Sequence, residues 1–357
     1  MAASGSGKSV FITGEAGAGK TTLLRAFEAW TGGARMLHGA CEDLSIPEPL
    51  GPLRDLAQEA GADLDALLRV ETDRLAVFGR VLALAEAPDR VTVLAIEDLH
   101  WADEATLDFV RFAARRIRDR PMLMIVTARN DETGRAQLRR ALGGVPPSDV
   151  TRIPLRPLSQ AAVAQLAAGS GRPAEELHRI TGGNAFYVTE ILRSGRTEGL
   201  RSVQDAVLDR IERLPYGTRK LLDAVSVFPR RAERDWALFA TDAVDGESAT
   251  DHSVAARLLE DTGIHLAFRH EIAQQAVETA LPPTRRRRLN ATVLAAMQAA
   301  GGVPHARLLH HARGAGDRAA TARLAALAGL EARDTGANEH AADYFVLAVD
   351  LVDAGDK

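Results

Sequence analysis

The chain of 357 residues contains very little cysteine. Its single cysteine, Cys41, has no second thiol in the chain with which to form a disulfide. The amino terminus also lacks the apolar run of a secretory signal peptide. Together, these two features predict a protein of the reducing cytoplasm.

Aromatic residues are scarce, and neither sign of charge is in large excess. Only 4% of the residues are aromatic, which argues against a surface on which nucleic-acid bases stack. The 44 basic and 48 acidic side chains give a net charge of −4, so no overall field attracts nucleic acid or an anionic membrane. No apolar stretch approaches the ~18 residues of a transmembrane helix. The 46% hydrophobic content instead indicates globular domains.

Two segments near the amino terminus, residues 5–9 and 14–21, combine glycine with lysine as phosphate-binding loops do. Such a loop needs a buried strand before it and a helix after it, because backbone N–H groups and the helix N-terminus together hold the phosphates. The residues before Gly5 are too few and too weakly apolar for a strand. We therefore interpret residues 5–9 as a flexible entry segment.

The second segment, GEAGAGKT, has the required context on both sides. A β-branched and aromatic run at residues 10–13 predicts a strand, and Leu23, Leu24 and Phe27 lie on one face of a following helix. A glycine-rich turn without a ligand is the alternative. The nucleotide-binding residues that the pattern predicts are Gly14, Gly17, Gly19, Lys20, Thr21 and Thr22.

Within this loop, the glycines permit close approach of the backbone to phosphate. Lys20 is predicted to bridge the β- and γ-phosphates, and the hydroxyl of Thr21 to bind Mg²⁺. Mg²⁺ beside phosphates also needs a carboxylate, and hydrolysis needs a group that orients water. Glu97 and Asp98 follow the apolar run 91–96, so they are predicted to lie at the carboxyl edge of a parallel sheet.

Glu97 and Asp98 are expected to divide the two tasks, one near the metal and the other near the attacking water. Which carboxylate does which remains open. The alternative, a solvated acidic turn that caps the next helix, suits Asp103 better. After the apolar run 122–127, Arg129 is placed to contact a γ-phosphate. The predicted catalytic residues are thus Glu97, Asp98 and Arg129, and the predicted metal ligands are Thr21, Glu97 and Asp98.

Further strands are predicted at residues 35–39 and 151–155. Five strands that alternate with helices predict a doubly wound parallel α/β sheet, the P-loop NTPase fold, over residues 8–160. Helical patterns follow. They predict a helical lid at residues 161–200, a winged-helix-like subdomain at 201–300 and the start of a helical (TPR-like) repeat region at 301–357.

In the predicted winged-helix segment, helical spacing covers residues 202–228. Residues 254–280 indicate a helix, a short strand at 265–268 and another helix, and a plain helical bundle is the alternative. The arginines at 285–288 follow two prolines that begin a helix, so we interpret them as a solvated or partner-facing surface rather than a nucleic-acid site. Residues 334–350 resemble one helical-repeat hairpin.

The ordered motifs GEAGAGKTTLL, EDLHWAD, TGGNAFYV and FRH resemble the ATPase core of the large LuxR-type transcriptional regulators of the maltose-regulator group, which are signal-transduction ATPases. The resemblance covers nearly the whole chain. It implies an ATP/ADP-switched regulator that binds Mg²⁺ and hydrolyses ATP slowly or not at all. It also implies self-association or pairing with related regulators. Binding to a membrane is not expected. The resemblance further implies that His270 contacts phosphate.

Several features depart from that family. The chain begins close to its first strand, where the family has a Gly-Arg-Glu segment that helps cover the adenine, and it ends at Lys357, before the family's helix-turn-helix DNA-binding domain. Ala185 stands where proline is usual, and Gln274 where arginine commonly follows FRH. The missing Gly-Arg-Glu segment, Ala185 and Gln274 predict weaker affinity for the base, whereas the end at Lys357 predicts that the output module is absent from this chain. The alternative is a truncated, non-catalytic interaction module that pairs with other regulators.

Overall fold

The computed structural model describes residues 7–44, 46–70, 73–87, 89–194, 203–241 and 245–353. The chain divides into two compact units. The first contains Met1–Glu15, Gly19–Leu155 and Gly329–Tyr344, and the second contains Ala16–Ala18, Arg156–Ala328 and Phe345–Lys357.

The first unit contains a five-stranded parallel sheet in the order β2-β3-β4-β1-β5. Along β3, Leu94 and Ile96 enter one apolar cluster, while Val93 and Ala95 enter another, because successive side chains of a strand point to opposite faces. Both faces are therefore covered, and the predicted doubly wound α/β fold is confirmed. The strands are β1 (Lys8–Thr13), β2 (Arg35–Ala40), β3 (Thr92–Glu97), β4 (Met122–Ala128) and β5 (Val150–Pro154).

In the described part of residues 7–155, six α-helices connect and flank these strands. Aspartate side chains cap three of them, and each accepts a hydrogen bond from a first-turn N–H group that has no partner inside its helix. The capping residues are Asp73, Asp103 and Asp131. The helices are α1 (Lys20–Thr31), α2 (Gly51–Glu59), α3 (Leu64–Val70), α4 (Arg74–Ala85), α5 (Glu104–Arg116) and α6 (Glu132–Ala141).

The amino-terminal edge of the sheet differs from expectation. Lys8 and Ser9, interpreted from sequence as part of a flexible entry segment, are the first residues of β1, and they pair with Leu123 and Met124 of β4. Gly7 is held as well, since its N–H donates to the carbonyl of Arg118 at 2.8 Å. The strand is thus longer than the apolar run 10–13, because backbone pairing does not require apolar side chains. Residues 5 and 6 lie outside the described part of the chain.

The second unit consists of helices and a small antiparallel sheet of order β6-β8-β7, with β6 (Arg231–Glu233), β7 (Leu259–Asp261) and β8 (His265–Phe268). The last two helices contribute residues to both units. The helices are α7 (Gln160–Ala167), α8 (Ala174–Thr181), α9 (Ala185–Ser194), α10 (Val203–Glu212), α11 (Tyr216–Ser226), α12 (Arg234–Ala240), α13 (Gly246–Ala255), α14 (Glu271–Ala280), α15 (Pro283–Ala300), α16 (His305–Ala315), α17 (Arg318–Asp334) and α18 (Asn338–Asp353).

Four details of this region add to or differ from the sequence prediction. The helical spacing at 202–228 belongs to two helices, because Pro215 interrupts the hydrogen-bond ladder and begins α11. Strand β7 was missed, and the helix predicted to begin near residue 254 is α13, which already ends at Ala255. Residues 338–350 belong to the single helix α18 rather than to a hairpin, since the turn at Gly336 separates it from α17. The strand at residues 265–268 is confirmed, and the subdomain boundaries remain predictions.

Two adjacent histidines of α16 lie in the second unit, His311 fully buried and His310 half-buried. Nδ1 of His311 lies 2.9 Å from Oδ1 of Asn290, and Nε2 of His310 lies 3.1 Å from the carbonyl oxygen of Val227. Burial lowers the pKa of both imidazoles, and the nearby charge of Arg307 lowers each pKa further. Both rings are therefore neutral in the folded protein near pH 7.

We expect this histidine pair to make the protein less stable in acid. Below about pH 6.5 the unfolded chain protonates both imidazoles while the folded chain resists, so stability is full above that pH and is lost as the pH falls. We compare the wild type with the double variant His310→Gln/His311→Gln. Between about pH 7 and about pH 5, the free energy of unfolding of the variant should fall less than that of the wild type, by about 1.4 kcal/mol for each unit of pKa shift removed. Urea titrations measure this difference. His252→Gln, at an exposed histidine of α13, is the matched control.

Candidate functional site

The loop between β1 and α1 has the backbone shape that its glycines permit. Gly17 and Gly19 have φ angles of 76° and 97°, in the left-handed region that side chains disfavour. Gly19 directly precedes α1, which begins at Lys20. The first N–H groups of α1, which have no acceptor within the helix, therefore lie at the end of this loop.

Lys20 is buried, with only 8% of its surface exposed. Its Nζ donates hydrogen bonds to the carbonyl oxygens of Gly14 and Glu15, each at 3.0 Å. A buried ammonium group needs such acceptors, since an isolated charge in the protein interior is costly. The loop therefore holds one positive charge against its own backbone.

Thr21 and Glu97 are 76 residues apart in sequence and lie next to each other in the first unit. The Thr21 hydroxyl donates to Oε2 of Glu97 at 3.0 Å. Thr21 is in the first turn of α1 and Glu97 is the last residue of β3. A hydroxyl and a carboxylate, both hard oxygen donors, are thus placed together at the carboxyl edge of the sheet.

Asp98 leaves the strand direction immediately after Glu97. Its φ of 58° is unusual for a residue with a side chain, and its N–H donates to the hydroxyl of Thr127 on β4 at 3.0 Å. Asp98 is therefore part of a turn and does not continue the strand. Neighbouring positions at the end of β3 therefore have different backbone environments.

His100 is a buried residue of this edge to which the sequence analysis assigned no role. Its side chain is 4% exposed, and neither ring nitrogen has a hydrogen-bond partner among the described residues. Burial lowers its pKa to about 4, with Asp98 acting in the opposite direction and the charges of Arg129 and Lys20 adding to the decrease. The ring is therefore neutral at pH 7. In the sequence, His100 could have been noticed because the segment LHW directly follows the acidic pair Glu97 and Asp98.

Arg129 follows the end of β4, as the sequence predicted. Its guanidinium carbon lies 5.5 Å from the centre of the Trp101 ring, a distance at which a cation and an aromatic face attract each other. Trp101 in turn lies beside His100, with the two ring centres 5.0 Å apart. The proposed contact between Arg129 and a γ-phosphate remains a prediction.

Residues 16–18, at the tip of the loop, are grouped with the second unit. The side-chain amide of Asn184 donates to the carbonyl of Ala16 at 2.9 Å, and the N–H of Phe186 donates to the carbonyl of Gly17 at 3.1 Å. The role of Asn184 was not predicted from the sequence. The sequence feature that could have marked Asn184 is its place directly before an apolar helix, where asparagine is a common N-cap.

Two further side chains, those of His270 and Gln274, have defined contacts in the second unit. The ring of His270 lies 4.7 Å from that of Phe186, so this histidine packs on the TGGNAF motif, and its contact with phosphate remains a prediction. Gln274 donates through Nε2 to the carbonyls of Ser226 and Phe228. Its side chain therefore caps the carboxyl end of α11.

The crowding around Gly17 gives a prediction about stability. A Cβ added there would lie 2.8 Å from Oδ1 of Asn184 and 2.9 Å from Cβ of Phe186, and the positive φ adds strain. At Gly19 the φ is also positive, but no atom lies within 4 Å of an added Cβ. Each alanine variant should lose about 1 kcal/mol or more to strain, and Gly17→Ala should lose more through the clash. Denaturant titrations of both variants measure the difference, and equal losses would contradict the clash.

The oxygen donors at this edge match a magnesium nucleotide. Among the described residues, no group of three or more His, Cys, Asp or Glu side chains could hold a metal alone. Mg²⁺ bound with phosphates usually takes one or two protein ligands and fills its other positions with phosphate and water. Thr21 and Glu97 provide that smaller set, and Lys20 provides a cation beside it.

Comparison with known proteins agrees with this geometry. Residues 1–126 match the family model described as AAA ATPase domain. This part of the chain is thus similar to an AAA ATPase domain. A search of the curated proteins gives no match.

Among solved structures, the fold is similar to that of a signal transduction ATPase with numerous domains (STAND) with a tetratricopeptide repeat sensor, from Pyrococcus horikoshii. The TM-score is 0.61 at 17% identity, over 97% of this chain and 56% of that one. The chain therefore spans little more than half of that relative. The ORC2 protein of Aeropyrum pernix in its ADPNP-ADP complexes gives a TM-score of 0.38 at 14% identity, over 83% of this chain and 91% of that one.

The part of the chain that the structure describes has no helix that is both long and apolar enough to cross a bilayer.

Proposed function

We propose that this chain binds ATP and ADP with Mg²⁺ and acts as the nucleotide switch of a regulatory protein, with slow hydrolysis. One observation carries the proposal: the Thr21 hydroxyl contacts the Glu97 carboxylate beside the buried Lys20. A hydroxyl, a carboxylate and an ammonium group at the start of a helix together suit a phosphate-bound magnesium ion. The match of residues 1–126 to an AAA ATPase domain supports the same chemistry.

Each residue of the site has a proposed task. Lys20 neutralises phosphate charge, and Thr21 and Glu97 bind the metal, which supplies charge neutralisation when present. Asp98, directly after Glu97, orients water, and Arg129 approaches the terminal phosphate. Gly14, Gly17, Gly19 and Thr22 form the backbone cradle around the phosphates.

The regulatory part of the proposal is supported by the LuxR-type motifs in the sequence. We propose that ATP and ADP favour different conformations, that the chain associates with itself or with related regulators, and that any DNA binding belongs to a helix-turn-helix domain of such a regulator. The alternative is an interaction module that binds partners without nucleotide turnover. The slow-switch proposal and this alternative differ in nucleotide affinity.

Calorimetric titration with ATP and ADP, each with and without Mg²⁺, tests the proposal. We expect saturable binding at one site per chain, tighter with Mg²⁺, and slow phosphate release. Sedimentation of the two nucleotide complexes tests the switch, for which we expect different association states. Failure of the wild-type protein to bind either nucleotide would favour the interaction module.

A further inference from the structure

The carbonyl groups at the tip of the phosphate loop have fixed directions. The carbonyl of Ala16 accepts from Asn184 Nδ2 at 2.9 Å, and that of Gly17 accepts from the Phe186 N–H at 3.1 Å. In a trans peptide the C=O and the N–H of the same plane point in opposite directions. The structure has no cis peptide among its described residues.

This geometry determines the direction of two N–H groups. The peptide plane that contains the Ala16 carbonyl also contains the Gly17 N–H, and the plane with the Gly17 carbonyl contains the Ala18 N–H. Because both carbonyls point toward residues 184–186, both N–H groups point the other way, away from the TGGNAF motif. Inward-pointing amides are what a phosphate-binding loop offers its ligand.

The orientation of the Asn184 amide is set by its own hydrogen bonds. Its Oδ1 accepts from the N–H of Phe186 at 3.1 Å and of Tyr187 at 3.4 Å, as an N-cap of α9 does. With the oxygen occupied in this way, Nδ2 faces the carbonyl of Ala16. One side chain therefore caps a helix with its oxygen and holds the loop with its nitrogen.

We propose that Asn184 is a positioning residue that holds the Gly17 N–H toward bound phosphate, next to the Ala18 N–H that the backbone of Phe186 orients. This proposal rests on the proposed nucleotide function. Asn184 acts through the loop backbone and has no assigned contact with the nucleotide. Through Asn184, the TGGNAF motif would thus help to orient the phosphate loop, separately from any contact with the base.

The cap and the donor can be separated by substitution. Asn184→Ser keeps a neutral N-cap residue for α9 but is too short to retain the amide donor to Ala16. Asn184→Asp keeps the capping oxygen and places a carboxylate against the Ala16 carbonyl. A role limited to capping predicts normal ligand affinity for both variants, whereas positioning predicts weaker binding in both.

The experiment titrates the full chain with magnesium ADP and with magnesium pyrophosphate, which has phosphates but no base. We expect Asn184→Ser to bind each probe about tenfold more weakly or worse, because a lost hydrogen bond leaves the loop free to turn its amides away. The loss should persist at high salt, which excludes a charge effect as the cause. Hydrogen exchange at residues 16–18 should be faster in the variant.

Ser159→Ala is the matched control, since Ser159 caps α7 through its hydroxyl. This variant should lose stability while keeping wild-type affinity for both probes. A folded Asn184→Ser with unchanged affinity and unchanged exchange would overturn the positioning role, provided that the wild type binds. If the wild type itself does not bind magnesium ADP, the proposed function fails instead.

Discussion

Lys20→Ala is expected to reduce affinity for Mg-ATP and Mg-ADP about 100-fold or more. The ammonium group is buried at the loop, and a charge-assisted hydrogen bond to phosphate contributes about 1.5–3 kcal/mol each. Calorimetry or displacement of a fluorescent ADP measures the loss. The substitution also removes the donor that the carbonyls of Gly14 and Glu15 accept from at 3.0 Å, so a less ordered loop adds to the loss of affinity.

Lys8→Ala is the matched control for this experiment. Lys8 belongs to the look-alike glycine and lysine segment, but it begins β1, and its Nζ donates to the carbonyl of Ser148 at 3.1 Å. The phosphate loop follows the other end of the same strand. Lys8→Ala should therefore bind nucleotide as the wild type does. Equal affinities of wild type and Lys20→Ala would show that nucleotide, if bound, is held elsewhere.

Glu97→Gln is expected to remove most of the effect of Mg²⁺ on nucleotide affinity and to slow phosphate release about 100-fold or more. The side-chain amide oxygen of this variant can still accept from Thr21, so the contact between α1 and β3 persists while the negative charge is lost. Parallel titrations with and without Mg²⁺, together with single-turnover phosphate release, measure both effects. Affinity without Mg²⁺ should stay close to that of the wild type.

Asp98→Asn separates the two carboxylates. If Glu97 binds the metal and Asp98 orients water, Asp98→Asn should slow phosphate release while keeping the Mg²⁺ dependence of binding. The opposite pattern, with Mg²⁺ dependence lost only in Asp98→Asn, would exchange the two roles. This comparison answers the question that sequence spacing left open.

Local patterns predicted much of the fold. Apolar runs located β1, β3 and β4, because a strand buried on both faces must be apolar almost throughout. The strands predicted at residues 35–39 and 151–155 overlap β2 and β5, whose sequences are mixed. The strand–glycine–helix context distinguished residues 14–21 from the look-alike at 5–9. Local pattern failed where pairing extends past the apolar core, as at Lys8 and Ser9, and where a short strand such as β7 has few residues to show alternation.

The candidate site was predicted only in part, because its contacts join distant residues. Sequence located Thr21 and Glu97 on separate elements, and their 3.0 Å contact depends on how β3 and α1 pack in the first unit. Asn184 is 168 residues from the carbonyl it bonds, so no local spacing marks it. The neutral state of His100 follows from burial, which a nearby acidic pair in the sequence would not suggest.

By itself, the sequence determined the order of the strands along the chain and the composition of the phosphate loop, since periodicity, glycine and β-branching act over a few residues. Only the tertiary structure decided the strand order across the sheet, the pairing of Thr21 with Glu97, and the direction of the loop amides. Those features depend on the burial of apolar faces and on hydrogen bonds between segments far apart in the chain, and each requires the whole unit to be folded.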